Sequence, residues 1–184
     1  SQRRTPMHNA YVLRLHHRPE RYKRITTHVM LASRALGAAK CYYCGARDEY
    51  LEKTIATVSK KFGGTFSAEH VRDWKKFLKE FDGIKVHLTM YGDPYEEKMQ
   101  EIKKELESKD ILLIVGSEKV ETEIYNTSDY NIAVLNQPHS EVSAVALALN
   151  ELRLKKDFSK AELFISPGEK TKNGYRKNIK AFTE

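Results

Sequence analysis

"ILLIVG" (residues 111–116) is five apolar residues closed by a glycine, with no polar position between them. A strand with one wet face would alternate. An unbroken run reads as a central parallel strand buried on both faces. "YNIAVLN" (130–136) reads as a second such strand, and "IKVHLTMYG" (84–92) as a third, rich in β-branched residues and ending at a glycine.

Working outward, "YVLRL" (11–15) and "KCYYC" (40–44) add two strands. A short strand is expected near Phe66 and another at "AELFIS" (161–166). Helical patterns lie between. After a charged loop running to Arg24, "TTHVMLASRAL" (26–36) is a helix capped by Thr26 or Thr27 and stopped by Gly37. "DEYLEKTIATVSKKF" (48–62) places Leu51, Ile55, Val58 and Phe62 at helical spacing before Gly63-Gly64. "VRDWKKFLKEF" (71–81) puts Val71, Trp74, Phe77, Leu78 and Phe81 on one face, which reads as core. "PYEEKMQEIKKELESK" (94–109) is a surface helix with Pro94 near its start. A polar segment with a helical turn follows residue 116, and a last helix spans 140–153. Strands alternating with helices predict an α/β fold, a mostly parallel sheet with helices on both faces. Residues 7–184 read as one domain, with 154–184 as a basic extension. Residues 1–6 precede Met7 and are left out of the fold as native or a cloning scar.

The length of 184 residues suffices for one well-buried core. A hydrophobic share of 40% with 31% charged residues fits a soluble protein. No run approaches the roughly 18 apolar residues of a membrane span, and no secretory leader is legible. Cys41 and Cys44 form a lone CxxC. Zinc would need two further ligands at matching spacing, and there is no second pair. They read as buried strand cysteines, which points to a cytoplasmic location. The net charge of +7 is uneven: residues 1–24 carry +6 and residues 151–184 carry +4, so the middle is slightly acidic. Basic ends brought together would suit a polyanion.

In an open α/β sheet, ligands bind outside the carboxyl ends of the strands. Three such ends are suggestive: "HLTMYG" (87–92), "IVGSEKV" (114–120) and "LNQPHSE" (135–141). Each offers a glycine, amides or small hydroxyl groups. No GxG pair and no GxxxxGK[ST] motif is present, which argues against a dinucleotide or a triphosphate. A ligand read by backbone and small polar groups fits better, such as an adenosine with a modest charged tail. Ser140 has two readings, a helix N-cap or part of a ligand site at the helix mouth.

These three loops, together with "VLRLHHRPERYKRITTH" (12–28) and "NQPHSEVSA" (136–144), resemble the archaeal tRNA 2′-O-methyltransferases that modify cytidine 56 of the T-loop. That family belongs to the knotted SPOUT superfamily. The resemblance implies S-adenosylmethionine held in a C-terminal trefoil knot, a homodimer with the active site near its interface, tRNA as substrate, and neither metal nor membrane. It assigns cofactor contacts to Leu88, Thr89, Gly92, Val115, Gly116, Ser117, Glu118, Lys119, Val120, Asn136, Gln137, Pro138, His139, Ser140 and Glu141. The nucleotide-facing, catalytic group would be Arg18, Arg21 and Arg24 in the loop before the first helix. Arginine suits phosphate clamping, since its planar fork binds two oxygens. His28 and His17 are alternative proton acceptors. The chain departs from the family at His16 and Leu135, where relatives carry Gly, and at Ser117, where many carry Ala. A non-enzymatic RNA-binding α/β module is the alternative reading.

Overall fold

The computed structural model describes residues 8–116, 119–165, 167 and 175–177. Six parallel strands form one sheet in the order β3-β2-β1-β5-β4-β6. They are β1 (Ala10–His17), β2 (Lys40–Gly45), β3 (Ala68–His70), β4 (Ile84–Pro94), β5 (Ile111–Val115) and β6 (Tyr130–Ala133). The helices between them are α1 (Pro19–Ala35), α2 (Glu49–Phe62), α3 (Trp74–Glu80), α4 (Tyr95–Glu105) and α5 (Thr122–Thr127), with α6 (Glu141–Leu152) after β6. A separate antiparallel pair, β7 (Leu163–Ile165) and β8 (Tyr175–Lys177), lies in the basic extension.

The period of two along each strand decides which side chain meets which layer. Val12 of β1, Val86 of β4 and Ile111, Leu113 and Val115 of β5 share one core with Val29 and Met30 of α1, Ile55 of α2, Ile102 of α4 and Leu149 of α6. Leu13, Leu15, Leu112 and Ile114 point the other way, onto Leu78 of α3 and Ile124 of α5. All five residues of β5 are buried, so the sheet is covered on both faces, as the run at 111–116 requires. Cys41 and Cys44 are buried free thiols; burial pushes Cys41 up to about 12. No helix among the described residues is long and apolar enough to cross a membrane.

Several elements differ from the sequence reading. The segment read as a charged loop to Arg24 is the first part of α1, which begins at Pro19. Proline at the first helical position and Glu20 in the first turn are both start signals. Thr26 is therefore no cap but a buried residue inside the helix. The short strand near Phe66 sits at Ala68–His70, while Phe66 is buried and its carbonyl accepts from the Ser59 hydroxyl at 2.7 Å. The third helix starts only at Trp74, because Asp73 caps it by accepting the Lys76 N–H at 3.1 Å. The strand expected at 161–166 forms but pairs outside the main sheet.

β4 bears most directly on the site. Leu88 and Asp93 both lie opposite Ile132 of β6, so residues 89–92 leave the ladder and return to it. Gly92 closes that excursion against the neighbouring strand: a Cβ there would lie 2.5 Å from the Asn131 carbonyl oxygen. Helix α6 begins as the capping reading expects, with Ser140 accepting the Val142 N–H at 3.2 Å.

Leu113 is fully buried in the middle of β5. Leu113→Ala should lower the free energy of unfolding by about 2–5 kcal/mol, read from the midpoint of urea denaturation.

Candidate functional site

Because all six strands run the same way, their carboxyl ends share one edge, and the site residues gather there in two neighbourhoods. The first is a pocket of about 600 Å³ at the ends of β1 and β2, lined by His16, His17, Arg18, Pro19, Glu20, Arg21, Tyr22, Gly45, Ala46, Lys119 and Glu121. Its floor is tightly built. Gly45 has φ +98°, and a Cβ on it would lie 2.5 Å from the His17 carbonyl oxygen. His16 sits in the left-handed region at φ 59°, a strained conformation for a residue with a side chain. Its Nε2 lies 2.7 Å from Glu121 Oε2, which ties the end of β1 to the segment after β5. Burial alone would raise the Glu121 carboxyl. The hydrogen bond with His16, a backbone hydrogen bond and the charges of His16 and Lys75 together outweigh it and hold the group below its ordinary value.

Arg18 and Arg21 both line this pocket. Arg18 is the N-cap of α1 and makes no side-chain capping bond. Arg21, Arg24 and His28 recur at helical spacing and lie along one exposed stripe of α1. Only Arg21 of the three stands at the pocket; Arg24 and His28 are carried away from it along the helix. His17 is buried, with Nδ1 2.8 Å from the Thr26 hydroxyl and Nε2 3.0 Å from Asp48 Oδ2. Both ring nitrogens are engaged, which makes His17 a structural residue. Asp48 also caps α2, accepting the Leu51 N–H at 3.0 Å. Burial pushes its carboxyl up, but the bonds from His17 and Leu51 leave it below its usual value.

The second neighbourhood joins the three loops. Asn136 Nδ2 donates to the carbonyls of Met90 and Gly92 at 2.8 and 3.0 Å, so the loop after β6 is pinned to the excursion of β4. The Thr89 hydroxyl pairs with the Tyr125 hydroxyl at 2.8 Å. Leu88, Val115 and Gly116 are buried; Lys119, Gln137, Pro138 and His139 are exposed. Val120 packs back over Gly116 so closely that a Cβ there would collide with it. His139 Nδ1 lies 3.0 Å from the Ser140 carbonyl oxygen. Met90, Tyr91 and Leu135 leave apolar surface open at this edge. Ser117 and Glu118 lie outside the described residues.

The residue that joins the two neighbourhoods escaped the sequence reading. Arg14, in the strand "YVLRL", has no exposed surface. Its Nη1 donates to the Gly116 carbonyl and its Nε to the Thr26 hydroxyl at 3.4 Å. Glu141, the first residue of α6, lies 3.6 Å away, and the guanidinium carbon stands 5.7 Å from the Tyr22 ring centroid. Nη2 has no partner among the described residues. Burial lowers its pKa and Glu141 pulls it back up. One signal could have found it: a lone charge in a strand whose neighbours are all apolar cannot point to water if the strand is central. His87 was likewise missed as structural. It is buried, which lowers its pKa, and Nδ1 lies 2.9 Å from Asn131 Oδ1.

Arg14→Met would leave Glu141 and the Gly116 carbonyl without their cation. Stability should fall by about 1–3 kcal/mol in urea unfolding, and Glu141→Gln added to it should recover part of the loss.

Comparison with known proteins bears on the family and the fold. A family model described as "tRNA ribose 2'-O-methyltransferase, aTrm56" matches residues 62–174. The tRNA (cytidine(56)-2'-O)-methyltransferase of Pyrococcus horikoshii is 46% identical over 180 residues, covering 92% of this chain and 89% of that protein. The protein of the same name from Thermococcus kodakarensis is 49% identical over 168 residues, covering 88% and 93%. Among solved structures, the SpoU methyltransferase AviRb of Streptomyces viridochromogenes aligns with a TM-score of 0.58 at 16% identity, covering 82% of this chain and 61% of that one. The TrmH/SpoU tRNA modifying enzyme of A. aeolicus aligns at 0.57 and 19%, covering 81% and 76%. The distant structures establish the fold, and the family model and close relatives establish the family: the chain belongs to the tRNA ribose 2′-O-methyltransferases.

Proposed function

We propose that this protein transfers a methyl group from S-adenosylmethionine to the ribose 2′-hydroxyl of cytidine 56 in tRNA, working as a homodimer in the cytoplasm. The observation that carries the reading is the adjacency of two neighbourhoods on one sheet edge. A pocket walled by Arg18, Arg21 and Lys119 suits a phosphodiester-linked nucleoside. Beside it lie three backbone-rich loops linked by Asn136. The names borne by relatives 46–49% identical supply the target nucleotide.

The residues present fit the cofactor. Open apolar side chains at Met90, Tyr91 and Leu135 can cover an adenine, and the loops supply backbone donors and acceptors for a ribose. Leu88, Thr89, Gly92, Val115, Gly116, Lys119, Val120 and 136–141 would hold it, with Ser117 and Glu118 completing the middle loop. When bound, S-adenosylmethionine supplies the methyl group. In this reading the three loops form a trefoil knot around it. Such a thread is nearly absent among folds; the excursion at 89–92, pinned by Asn136, is what supports it here.

The chain's own task is alignment, since an in-line displacement needs oxygen, methyl and sulfur in a row. Arg18 and Arg21 clamp the phosphates on either side of the ribose. A guanidinium is a donor with no acceptor site, so Arg18 orients the 2′-hydroxyl, whose proton passes to solvent as the methyl moves from sulfur to oxygen. Arg24, further along α1, extends the positive face toward the rest of the tRNA. His28 stands outside the pocket lining. The dimer is supported by exposed Ile25 on α1 and Leu147 on α6, on two helices that pack side by side.

The decisive experiment uses methyl-labelled S-adenosylmethionine with unmodified tRNA and with a matched tRNA carrying 2′-deoxycytidine at position 56. Label should enter the first and not the second. Label in both would overturn the target atom or nucleotide, and label in neither would overturn the activity. In the same assay Arg18→Ala should bind the cofactor normally and lose about ten- to a hundredfold in turnover, the range for one or two charge-assisted hydrogen bonds. Wild-type turnover in that variant would remove Arg18 from the site.

A further inference from the structure

Tyr50 stands on the first turn of α2 with 66% of its surface in solvent. The buried face of α2 is made by Leu51, Ile55 and Ser59, so packing gives no reason for a large ring at position 50. The Lys23 ammonium, from α1, lies 4.4 Å from the ring centroid. The ammonium lies over the ring, and most of the side chain stays in solvent.

The turn beneath this ring is bolted to the pocket. The Ala46 N–H donates to the His17 carbonyl at 3.0 Å. The Asp48 N–H donates to the Tyr43 hydroxyl at 2.9 Å, and the Asp48 carboxylate holds His17. Gly45 and Ala46, from the same turn, form part of the pocket lining. Arg47, exposed beside them, lies 3.6 Å from Glu52. A hydrogen-bonded turn thus runs from the pocket lining to an exposed ring on the first turn of α2, with Lys23 over the ring and Arg47 three residues before it.

We propose that Tyr50 is a stacking platform for an unpaired tRNA base next to the nucleotide held in the pocket, with Lys23 and Arg47 beside its phosphates. The proposal rests on reading the pocket as the site of an RNA nucleoside. A ribose can enter such a pocket only if its nucleotide leaves its neighbours, and the base left behind then lacks a stacking partner. An exposed ring on the turn that leads out of the pocket lining replaces that partner. Stacking on aromatic side chains is the usual way proteins hold splayed RNA bases, and it tolerates any base because every base has a π-face. A cation over the ring adds positive potential where the backbone passes.

The test is tRNA binding by fluorescence anisotropy beside the KM for tRNA in the methylation assay. Tyr50→Ala should raise both by about fivefold or more, the lower bound for one stacked base. Cofactor affinity and the thermal midpoint should stay at wild-type values. Tyr50→Phe, which keeps the ring, should restore tRNA affinity to within about twofold of wild type, since stacking needs only the π-face. Unchanged tRNA affinity in Tyr50→Ala would overturn the proposal, and so would a Phe variant as impaired as the Ala one. If the wild type binds tRNA without methylating it, the activity falls while the anisotropy series still decides Tyr50; if it binds no tRNA, both fall.

Discussion

The buried guanidinium of Arg14 is the constraint around which this edge of the sheet is arranged. An unexposed charge costs several kcal/mol to desolvate unless its donors are met. Arg14 finds partners in three directions, the Gly116 carbonyl after β5, the Thr26 hydroxyl in α1 and the Glu141 carboxylate at the head of α6, while its Nη2 has none among the described residues. Each partner fixes an element. Thr26 passes the connection on to His17, and His17 to Asp48, the cap of α2. One run of polar contacts therefore crosses the carboxyl edge from the start of α6 to the start of α2. The loops on that edge have little freedom to move independently of it.

That run also separates two kinds of chemistry. On the β4 and β6 side, the edge presents backbone carbonyls, an amide that bridges loops and apolar side chains open to solvent. On the β1 and β2 side the edge presents cations. Arg18, Arg21 and Lys119 line the pocket around the first turn of α1, whose dipole adds to the same positive field. Glu20 and Glu121 temper it, and Glu121 is already engaged by His16. The result is a pocket that favours an anionic backbone without being a bare basic patch.

Much of the architecture was legible because local patterns carried it. The unbroken apolar run at 111–116 could only be a strand covered on both faces, and β5 is buried throughout. Asp48 and Ser140 read as helix starts, and each accepts the backbone N–H a cap should. The start of α1 was misread for an equally physical reason. The charges of 18–24 hid a helical turn whose exposed side needs no apolar residue, although Pro19 and Glu20 marked its beginning. The same misreading left Arg24 in a loop, although it belongs to α1. Once α1 starts at Pro19, helical phase sets Arg24 and His28 on its outer stripe, with only Arg21 near the pocket.

What the amino-acid order determined alone was period, boundaries and the residue types at each strand end, because these depend on neighbours a few positions apart. It also carried the family likeness in four short motifs. Tertiary structure alone decided which groups meet. Arg14 and Gly116 are 102 residues apart in the chain, and Asn136 and Met90 are 46 apart. Their contacts exist because β1 lies beside β5, and β4 beside β6, in a sheet whose strand order differs from chain order. Periodicity cannot encode that order. It follows from how two apolar faces are covered at once, and that is settled by packing over the whole chain.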